Sequence, residues 1–245
     1  MQFYGISDIG KKRNENQDKI FVSEENSELK LFIVADGMGG ANAGSVASNL
    51  AVNYVKKYIQ DNFNNIDYER ESIEDLIRKA MFEANNFVYN ESKKNMEYAG
   101  MGTTLITAIA YKNKIFIGHI GDSRLYRIRK NIIRQLTKDQ SYVQALVDNG
   151  SITKEEAQNH PQKNVLLKVL GCEKNLEPDI ITKGFLKDDI ILICTDGLTN
   201  MVDTEDIYNM IVSNKDDVKL ICEKLVNEAI ENGGYDNISV VLISK

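Results

Sequence analysis

The chain has 245 residues, of which 42% are hydrophobic and 27% charged, a balance typical of a globular protein. Its net charge of −6 and isoelectric point near 5.2 argue against non-specific nucleic-acid binding, which needs a basic surface. The longest apolar runs, such as Leu31–Ala35 and Ile190–Cys194, are far shorter than a membrane span, and the N-terminus lacks the pattern of a signal peptide. We therefore expect a cytoplasmic protein without a nucleic-acid or membrane partner.

Three cysteines, Cys172, Cys194 and Cys222, are widely spaced, and the sequence contains no CxxC pair. Neither a zinc site nor a disulfide framework is therefore expected. Cys194 lies in an apolar strand-like run and Cys222 on an apolar helical face, so both are interpreted as small core residues.

Hydrophobic periodicity predicts blocks of strands and helices in chain order. Strands are expected at about 3–8, 18–23 and 30–35, before two amphipathic helices whose apolar residues run from Val46 to Tyr58 and from Ile73 to Val88. Four central strands, a short helix, two further strands, two helices and a last strand follow. Their ranges are Thr103–Tyr111, Lys114–Ile120, Ser123–Arg129, Ile132–Leu136, Tyr142–Asn149, 178–185, 189–195, 204–213, 216–231 and Ile238–Ile243.

The order of these elements indicates the fold class. Strands joined by hairpins, with the helices in two groups, favour α+β layers with mostly antiparallel sheets over a repeating βαβ fold. No linker-like tract or internal repeat divides the sequence, so we expect one domain over residues 1–245.

Aspartates recur at the ends of the predicted strands. Asp36-Gly37, Gly121-Asp122 and Asp196-Gly197 each follow a strand, and Asp236-Asn237 precedes the last one. An isolated Asp-Gly after a strand is typical of a hairpin turn. At Asp36 and Asp196, however, helix-prone sequence follows in place of a returning strand. If these strands are neighbours, carboxylates from distant parts of the chain meet at one edge of the sheets.

Such a group of carboxylates would be self-repelling, and some of its members would be forced to bind a proton. A divalent cation removes that repulsion by supplying positive charge and accepting oxygen ligands. Because no histidine-rich or cysteine-rich set competes with the carboxylates, oxygen ligands favour Mg²⁺ or Mn²⁺ over zinc. The neighbouring glycines fit this interpretation, since a residue without Cβ lets a backbone carbonyl approach a metal.

A series of motifs extends along almost the whole sequence. They are Ser7-Asp8-x-Gly10-x-x-Arg13-x-x-Asn16-Gln17-Asp18, Asp36-Gly37-Met38-Gly39-Gly40, Gly102-Thr103-Thr104, Gly121-Asp122-Ser123-Arg124, Leu136-Thr137-x-Asp139-x-Ser141, His160-Pro161-Gln162, Leu170-Gly171, Asp196-Gly197-Leu198 and Asp236-Asn237. In identity and order these motifs resemble the PPM/PP2C family of metal-dependent protein serine/threonine phosphatases, in its compact bacterial form. The resemblance implies a four-layer αββα sandwich, in which helices flank two mostly antiparallel sheets.

The resemblance also implies a set of metal ligands. Asp36 matches the carboxylate that bridges two metal ions, and Asp196 and Asp236 match the other ligands of the first ion. The Gly37 carbonyl and, through water, Asp18 would hold the second ion.

Three further roles follow from the same motifs. Asp122, shared with Asp196, matches a third and weaker metal site of bacterial relatives. Arg13 matches the arginine that binds the substrate phosphate, a task that suits a guanidinium fork. Asn237 would support metal-bound waters from behind the ligands.

The implied reaction is hydrolysis of phosphoserine and phosphothreonine in proteins. A water that bridges two Mg²⁺ or Mn²⁺ ions has a lowered pKa and attacks phosphorus in line, while the metals and Arg13 stabilise the equatorial oxygens. The expected partners are phosphorylated proteins, including a cognate serine/threonine kinase and its substrates, and a monomer is expected. No Cys-x₅-Arg loop supports a cysteine-based phosphatase.

The sequence departs from many relatives where a histidine would protonate the leaving group. Met38 occupies one such position and Ala41 follows the glycine pair, so the general acid is unassigned and a metal-bound water is the working hypothesis. General acid catalysis contributes about 10²–10⁴-fold, so its absence would lower the rate without excluding activity. We interpret His119 as a packed core residue and His160 as a structural residue beside the site.

Two other departures are Gln17 and Gln140, which replace a glutamate and a histidine of relatives and are not expected to disrupt the metal centre. Residues from about 142 to 171 match the variable flap of the family. Recognition of extended phosphopeptides and a plain connecting subdomain are equally good interpretations of that segment.

Two other functions remain as alternatives. A catalytically silent phosphoprotein-binding module is disfavoured because Asp36, Asp196 and Asp236 are all present. A regulatory phosphatase dedicated to one partner usually carries sensor or membrane domains, which the sequence does not contain. Nucleotide binding at Asp36–Gly40 is excluded because no Gly-Lys-Ser/Thr follows.

Overall fold

The computed structural model describes residues 1–40 and 43–245. The strands are β1 Gln2–Asp8, β2 Asp18–Val22, β3 Lys30–Met38, β4 Gly102–Thr103, β5 Leu105–Tyr111, β6 Lys114–Ile120, β7 Arg124–Arg129, β8 Ile132–Gln135, β9 Asp179–Gly184, β10 Ile190–Cys194 and β11 Ile238–Ser244. The α-helices are α1 Ala43–Asn62, α2 Arg70–Lys94, α3 Tyr142–Asp148, α4 Lys154–Gln158, α5 Asp196–Thr199, α6 Thr204–Ser213 and α7 Val218–Glu231. Short 3₁₀ helices span Phe63–Asn65 and Met96–Tyr98.

The strands form two antiparallel sheets. Sheet I has the order β1-β11-β10-β7-β8, and sheet II has the order β2-β3-β5-β6-β9, with β4 paired to β3. The chain passes from sheet II to sheet I between β6 and β7, through the segment that contains Asp122. That Gly121-Asp122 segment is thus a crossover between sheets, whereas β2–β3, β5–β6 and β7–β8 are joined by hairpins within one sheet.

Alternation along the strands creates three apolar layers, because successive side chains point to opposite faces of a sheet. In β3, Leu31 and Ile33 pack under α1 and α2, whereas Phe32 and Val34 face the space between the sheets. Strands β10 and β11 divide their side chains in the same way between the sheet interface and the layer under α6 and α7. Their two buried faces explain the uninterrupted apolar runs in the sequence.

The helices cover the outer faces of both sheets. In α1 the buried Ala47, Ala51, Val55 and Ile59 recur at four-residue spacing and form one stripe against sheet II. Helix α7 buries a comparable stripe that includes Cys222 against sheet I. The layers therefore follow the order helix, sheet, sheet, helix, which confirms the predicted α+β sandwich. No helix among the described residues is long and apolar enough to cross a membrane.

The elements match the predictions with three differences of consequence. Strand β3 continues through Asp36 and Gly37 to Met38, because β4 supplies a further hydrogen-bonding partner there. The predicted strand Thr103–Tyr111 is interrupted at Thr104. Helix α4 was not predicted, although Thr153 and Glu156 form a capping box at its start. Cys194 and Cys222 are buried, as expected of core residues.

Candidate active site

The aspartates selected from the sequence converge at one edge of the sandwich. Asp18 and Asp36 are direct cross-strand partners in sheet II, so their Cα atoms are about 4.5–5.5 Å apart. Asp196 follows β10 and Asp236 precedes β11, and these antiparallel neighbours in sheet I have that end in common. Asp122 lies on the crossover between the sheets. Five carboxylates from five separate segments are thus brought together.

Burial and mutual repulsion raise the pKa values of Asp18, Asp36, Asp122 and Asp196. Burial raises the pKa of Asp36 well above its usual value, and the charges of Asp18, Asp196, Asp122 and Asp236 raise it further. Burial, followed by its acidic neighbours, raises the pKa of Asp18 to about 7 and that of Asp122 to about 8. The pKa of Asp196 is raised by burial and by Asp236. Without a compensating cation the site therefore holds protons near neutral pH.

Asp18 is held by two hydroxyl groups from the opposite sheet. Its Oδ2 accepts hydrogen bonds from Thr195 Oγ1 at 2.9 Å and from Ser239 Oγ at 2.7 Å. Ser239 Oγ also lies 2.8 Å from Ser7 Oγ. Because a hydroxyl carries one proton and a carboxylate can only accept, Ser239 donates to Asp18 and accepts from Ser7. This hydroxyl clamp, consisting of Thr195 and Ser239, fixes the rotamer of Asp18.

The main chain of Asp36 is held on both sides by Thr103 and Thr104. The Asp36 N–H donates to Thr104 Oγ1 at 2.9 Å, and the Asp36 carbonyl accepts from Thr103 Oγ1 at 2.8 Å and from the Thr104 N–H at 2.9 Å. Thr104 Oγ1 also lies 2.8 Å from Ser123 Oγ, on the crossover segment beside Asp122. The interruption of the strand at Thr104 thus positions Asp36 and links it to that segment.

Gly197 allows the two carboxylates of sheet I to approach each other. A Cβ at this position would lie 2.0 Å from the carbonyl oxygen of Asn237 and 3.5 Å from the Cβ of Asp236. No side chain larger than hydrogen fits, so the start of α5 packs directly on the segment before β11. This contact places Asp196 beside Asp236.

Gly37 has a similar steric explanation. A Cβ there would lie 2.1 Å from the Gly44 carbonyl oxygen at the beginning of α1 and 2.6 Å from the Gln17 carbonyl oxygen. We expected the missing Cβ to let the Gly37 carbonyl approach a metal. In the structure, the missing Cβ lets the backbone at Gly37 pack closely against these two carbonyl groups. Whether its carbonyl is a metal ligand stays a prediction.

Arg13 lies at the same edge and contacts Asp236. Its Nη2 donates to Asp236 Oδ2 at 2.9 Å, and the two side chains are 52% and 34% exposed. This hydrogen bond, with the charges of Asp236, Asp36 and Asp196, raises the pKa of Arg13 although burial opposes the rise. The guanidinium is exposed enough to meet a ligand that enters from solvent.

Asn237 is held by the loop between β1 and β2, and its predicted support of metal-bound waters stays a prediction. Its Nδ2 donates to the carbonyls of Ile9 and Glu15 at 2.9 and 3.0 Å, and its Oδ1 accepts from the Gln17 N–H at 2.8 Å. Both N–H donors are thus engaged by the loop between β1 and β2. The side chain holds the segment that carries Arg13 and Asp18, so its role here is to position that loop.

The donor set fits a hard divalent cation. Asp18 Oδ1 and Asp196 Oδ1 are buried and have no hydrogen-bond partner among the described residues, and carboxylate oxygens are the ligands that Mg²⁺ and Mn²⁺ prefer. In residues 1–40 and 43–245, no group of three or more histidine, cysteine, aspartate or glutamate side chains could hold a metal as it stands. Asp236 is paired with Arg13 in the structure.

In the hydrogen bonds found among the described residues, neither histidine is bonded to a carboxylate of the site. His119 is fully buried in β6, and its Nε2 lies 3.1 Å from the Ser123 carbonyl oxygen. His160 packs at 6.2 Å from the Tyr142 ring and accepts from the Gln162 N–H at 3.1 Å. Among the positions considered for a general acid, Ala41 lies outside the described residues.

Sequence reasoning missed the residues that orient the carboxylates. Thr104 lies within a quoted motif, Thr195 adjoins one and Ser239 lies two residues beyond one. Hydroxyl residues are common, and no local pattern marks these three as partners of a carboxylate or its backbone. Their spacing from the nearest site aspartate was the only available signal.

Comparison with known proteins gives the family. Residues 9–225 match the family model of protein phosphatase 2C. A serine/threonine phosphatase stp of Listeria welshimeri is 38% identical over 239 residues, which are 98% of this chain and 94% of that protein.

Solved structures agree with the sequence comparison. The serine/threonine phosphatase of S. agalactiae superposes with a TM-score of 0.90 at 33% identity, covering 99% of this chain and 98% of that one. The catalytic domain of the phosphatase PstP, in complex with two manganese ions, superposes with a TM-score of 0.85 at 30% identity, covering 98% and 96% of the chains. Fold and site thus define the class of αββα sandwiches with a metal-binding carboxylate edge. The chain belongs to the protein phosphatase 2C family.

Proposed function

We infer that this chain is a protein serine/threonine phosphatase that hydrolyses phosphoserine and phosphothreonine in other proteins at the carboxylate edge. One observation carries the inference: aspartates from both sheets meet at a single edge beside Arg13, where the pKa values of Asp18 and Asp36 are raised. Such a set of oxygens is suited to divalent cations, and an exposed guanidinium is suited to a phosphate group.

We assign the metal ligands as the motifs suggest. Asp36 would bridge two ions, with Asp196 and Asp236 on the first. The Gly37 carbonyl and Asp18 would serve the second, Asp18 through water. The unpartnered Oδ1 atoms of Asp18 and Asp196 support this assignment. For the cations to bind, Arg13 must leave Asp236, and the protons that burial and neighbouring charges favour on Asp36 and Asp196 must be released.

The metal is Mn²⁺ or Mg²⁺, two ions in the core site, with a third and weaker ion at Asp122 and Asp196. The raised pKa of Asp122, to which Asp196 contributes directly after burial, supports a cation between these two side chains. The exposure of this pair to the adjoining cavity is consistent with weaker binding.

In the mechanism, the bound divalent ions would supply an activated water and neutralise charge on the phosphate. Arg13, once released from Asp236, binds the phosphate and stabilises the charge on its equatorial oxygens. The hydroxyl clamp and Thr104 hold Asp18 and Asp36 in fixed positions, so no reorganisation is needed during the reaction. Asn237 holds the loop that carries Arg13. No side chain is assigned as the general acid.

We propose that residues 1–245 form one domain and that the segment from about 142 to 171 acts as a flap. Helices α3 and α4 of this segment border a cavity of about 430 Å³ that reaches Asp122 and Asp196. Gln144, Lys154, Asn159 and Lys163 line its outer wall, where amide groups are suited to the backbone of an extended peptide.

We propose further that the protein acts in the cytosol as a monomer and opposes a serine/threonine kinase. All three cysteines are free, and a thiol state of this kind is usual in the cytosol. A kinase is required because phosphoserine and phosphothreonine must be made before they can be hydrolysed.

The test is phosphate release from phosphothreonine peptides across Mn²⁺ and Mg²⁺ titrations. EDTA should abolish turnover and Mn²⁺ restore it. Asp36→Asn should abolish turnover while the protein stays folded, and Asp216→Asn, an exposed isosteric control, should remain active. Full activity in EDTA would refute the metal mechanism, and unchanged turnover in Asp36→Asn would refute the role of Asp36.

A further inference from the structure

A group of basic residues borders the carboxylate edge, although the protein as a whole carries a negative net charge. Lys11, Lys12 and Arg13 are consecutive and exposed, in a chain with a net charge of −6. Arg13 contacts Asp236 and belongs to the site described above. Lys11 and Lys12 have no role there. Together with Tyr235 they are called the basic rim below.

Adjacent contacts between two loops determine where the rim lies. Next to the Arg13 ion pair, the Lys12 Nζ lies 6.0 Å from the centroid of the Tyr235 ring. One residue further out, the Lys11 N–H donates to the Gly234 carbonyl at 2.8 Å. The two loops thus run side by side, with Lys11 and Lys12 against residues 234 and 235, next to the Arg13–Asp236 pair.

The rim is available for a ligand. Within the described ranges, no carboxylate lies within 4.0 Å of the ammonium groups of Lys11 and Lys12. The Tyr235 side chain is 61% exposed although it packs over Gly233. Tyrosine is enriched at surfaces that recognise another polypeptide, and the unpaired ammonium groups beside it are complementary to acidic groups of such a ligand.

We propose that the basic rim selects substrates with an acidic side chain two or three residues from the phosphorylated one, an inference that rests on the proposed function. An extended peptide rises about 3.3 Å per residue, so a phosphate at Arg13 places neighbouring side chains over Lys12 and Lys11. A glutamate, an aspartate or a second phosphorylated residue there meets the ammonium groups, while Tyr235 packs against the peptide. The same two cations offset the repulsion between an acidic peptide and the site aspartates.

The test compares phosphothreonine peptides that differ only by Glu or Gln at the second and third positions, on either side of the phosphorylated residue. For the wild type, we expect kcat/KM to be about three- to tenfold higher with Glu on one side, as a few rim ion pairs allow. The double variant Lys11→Ser/Lys12→Ser should lose this preference. Lys12→Glu, which reverses the charge, should favour a lysine-containing peptide.

Two matched controls locate the effect. Lys154→Ser removes a cation from the flap wall of the cavity, and Lys187→Ser removes an exposed one that precedes β10, at the end of the strand remote from Asp196. Both should retain the preference. The preference should also decrease between about 0.02 M and about 0.5 M salt, because exposed charge pairs are screened over that range.

Equal kcat/KM for the Glu and Gln peptides in the wild type would overturn the proposal. A preference that persists in the double variant, or that disappears in Lys154→Ser, would overturn it as well. Hydrolysis of p-nitrophenyl phosphate should be the same in the wild type and the rim variants. Its absence in the wild type with Mn²⁺ would refute the proposed function itself, so the two failures are distinguishable.

Discussion

Replacement of Ser239 by alanine removes one of two hydrogen bonds that hold the buried carboxylate of Asp18. The Ser239 hydroxyl donates to Asp18 Oδ2 at 2.7 Å, and Thr195 supplies the other bond at 2.9 Å. Ser239 is fully buried, so water is poorly placed to replace the lost donor. The variant therefore leaves Asp18 in the same location with less stabilisation of its charged form.

The magnitude follows from the hydrogen bond and from the pKa of Asp18. A hydrogen bond to a charged group contributes about 1.5–3 kcal/mol, and one pKa unit corresponds to about 1.4 kcal/mol. Loss of the bond should raise the pKa of Asp18, which is about 7, by about one to two units. Because a ligand must lose its proton to bind a metal, Mn²⁺ affinity should fall about five- to fiftyfold at pH 7 but only about twofold or less at pH 9.

The assay is Mn²⁺ titration calorimetry at pH 7 and pH 9 on the wild type and Ser239→Ala, with circular dichroism to verify folding. Ser23→Ala is the matched control, because Ser23 is a buried serine whose hydroxyl lies 2.9 Å from the carbonyl oxygens of Leu29 and Leu31 and contacts no site carboxylate among these bonds. It should bind Mn²⁺ like the wild type. Equal affinity of Ser239→Ala at pH 7, or a loss that is the same at both pH values, would show that the hydroxyl does not act through the charge of Asp18.

Arg13→Ala should raise KM for phosphopeptides about tenfold or more, because it removes charge-assisted hydrogen bonds to the phosphate, with Arg13→Lys giving partial recovery; an unchanged KM would remove Arg13 from the phosphate site. Gly197→Ala should lower activity by about 10²-fold, since its Cβ would lie 2.0 Å from the Asn237 carbonyl and must displace the reacting groups; wild-type turnover would contradict this close contact. In EDTA, thermal stability should fall as pH rises from about 4 to about 8. Over this range Asp18 and Asp122 keep their protons in the folded protein, whereas in the unfolded chain, with a carboxyl pKa of 3.8, they have released them, so a rise in pH favours the unfolded state. Added Mn²⁺ should stabilise the protein more at pH 8 than at pH 5, and melting temperatures that rise with pH in EDTA would reverse this conclusion.

The sequence determined most of the elements, the fold class and which acidic residues to examine. Alternation in β3, where Leu31 and Ile33 face one side and Phe32 and Val34 the other, is a local property that needs no knowledge of neighbours. Positions of aspartates after strands are local too, and the order of the motifs around them indicated the family. Both kinds of signal depend on short-range spacing, so both can be recognised from the sequence alone.

Only the tertiary structure decided how these aspartates are held. Asp18 is 177 residues from Thr195 and 221 from Ser239, and the clamp exists because sheet I stacks on sheet II in one register. The fold also directs the Asn237 amide to the loop before β2, a contact that its position in the sequence did not indicate. Contacts across stacked sheets depend on register and on how closely backbones approach, and neither quantity is encoded in the spacing of nearby residues.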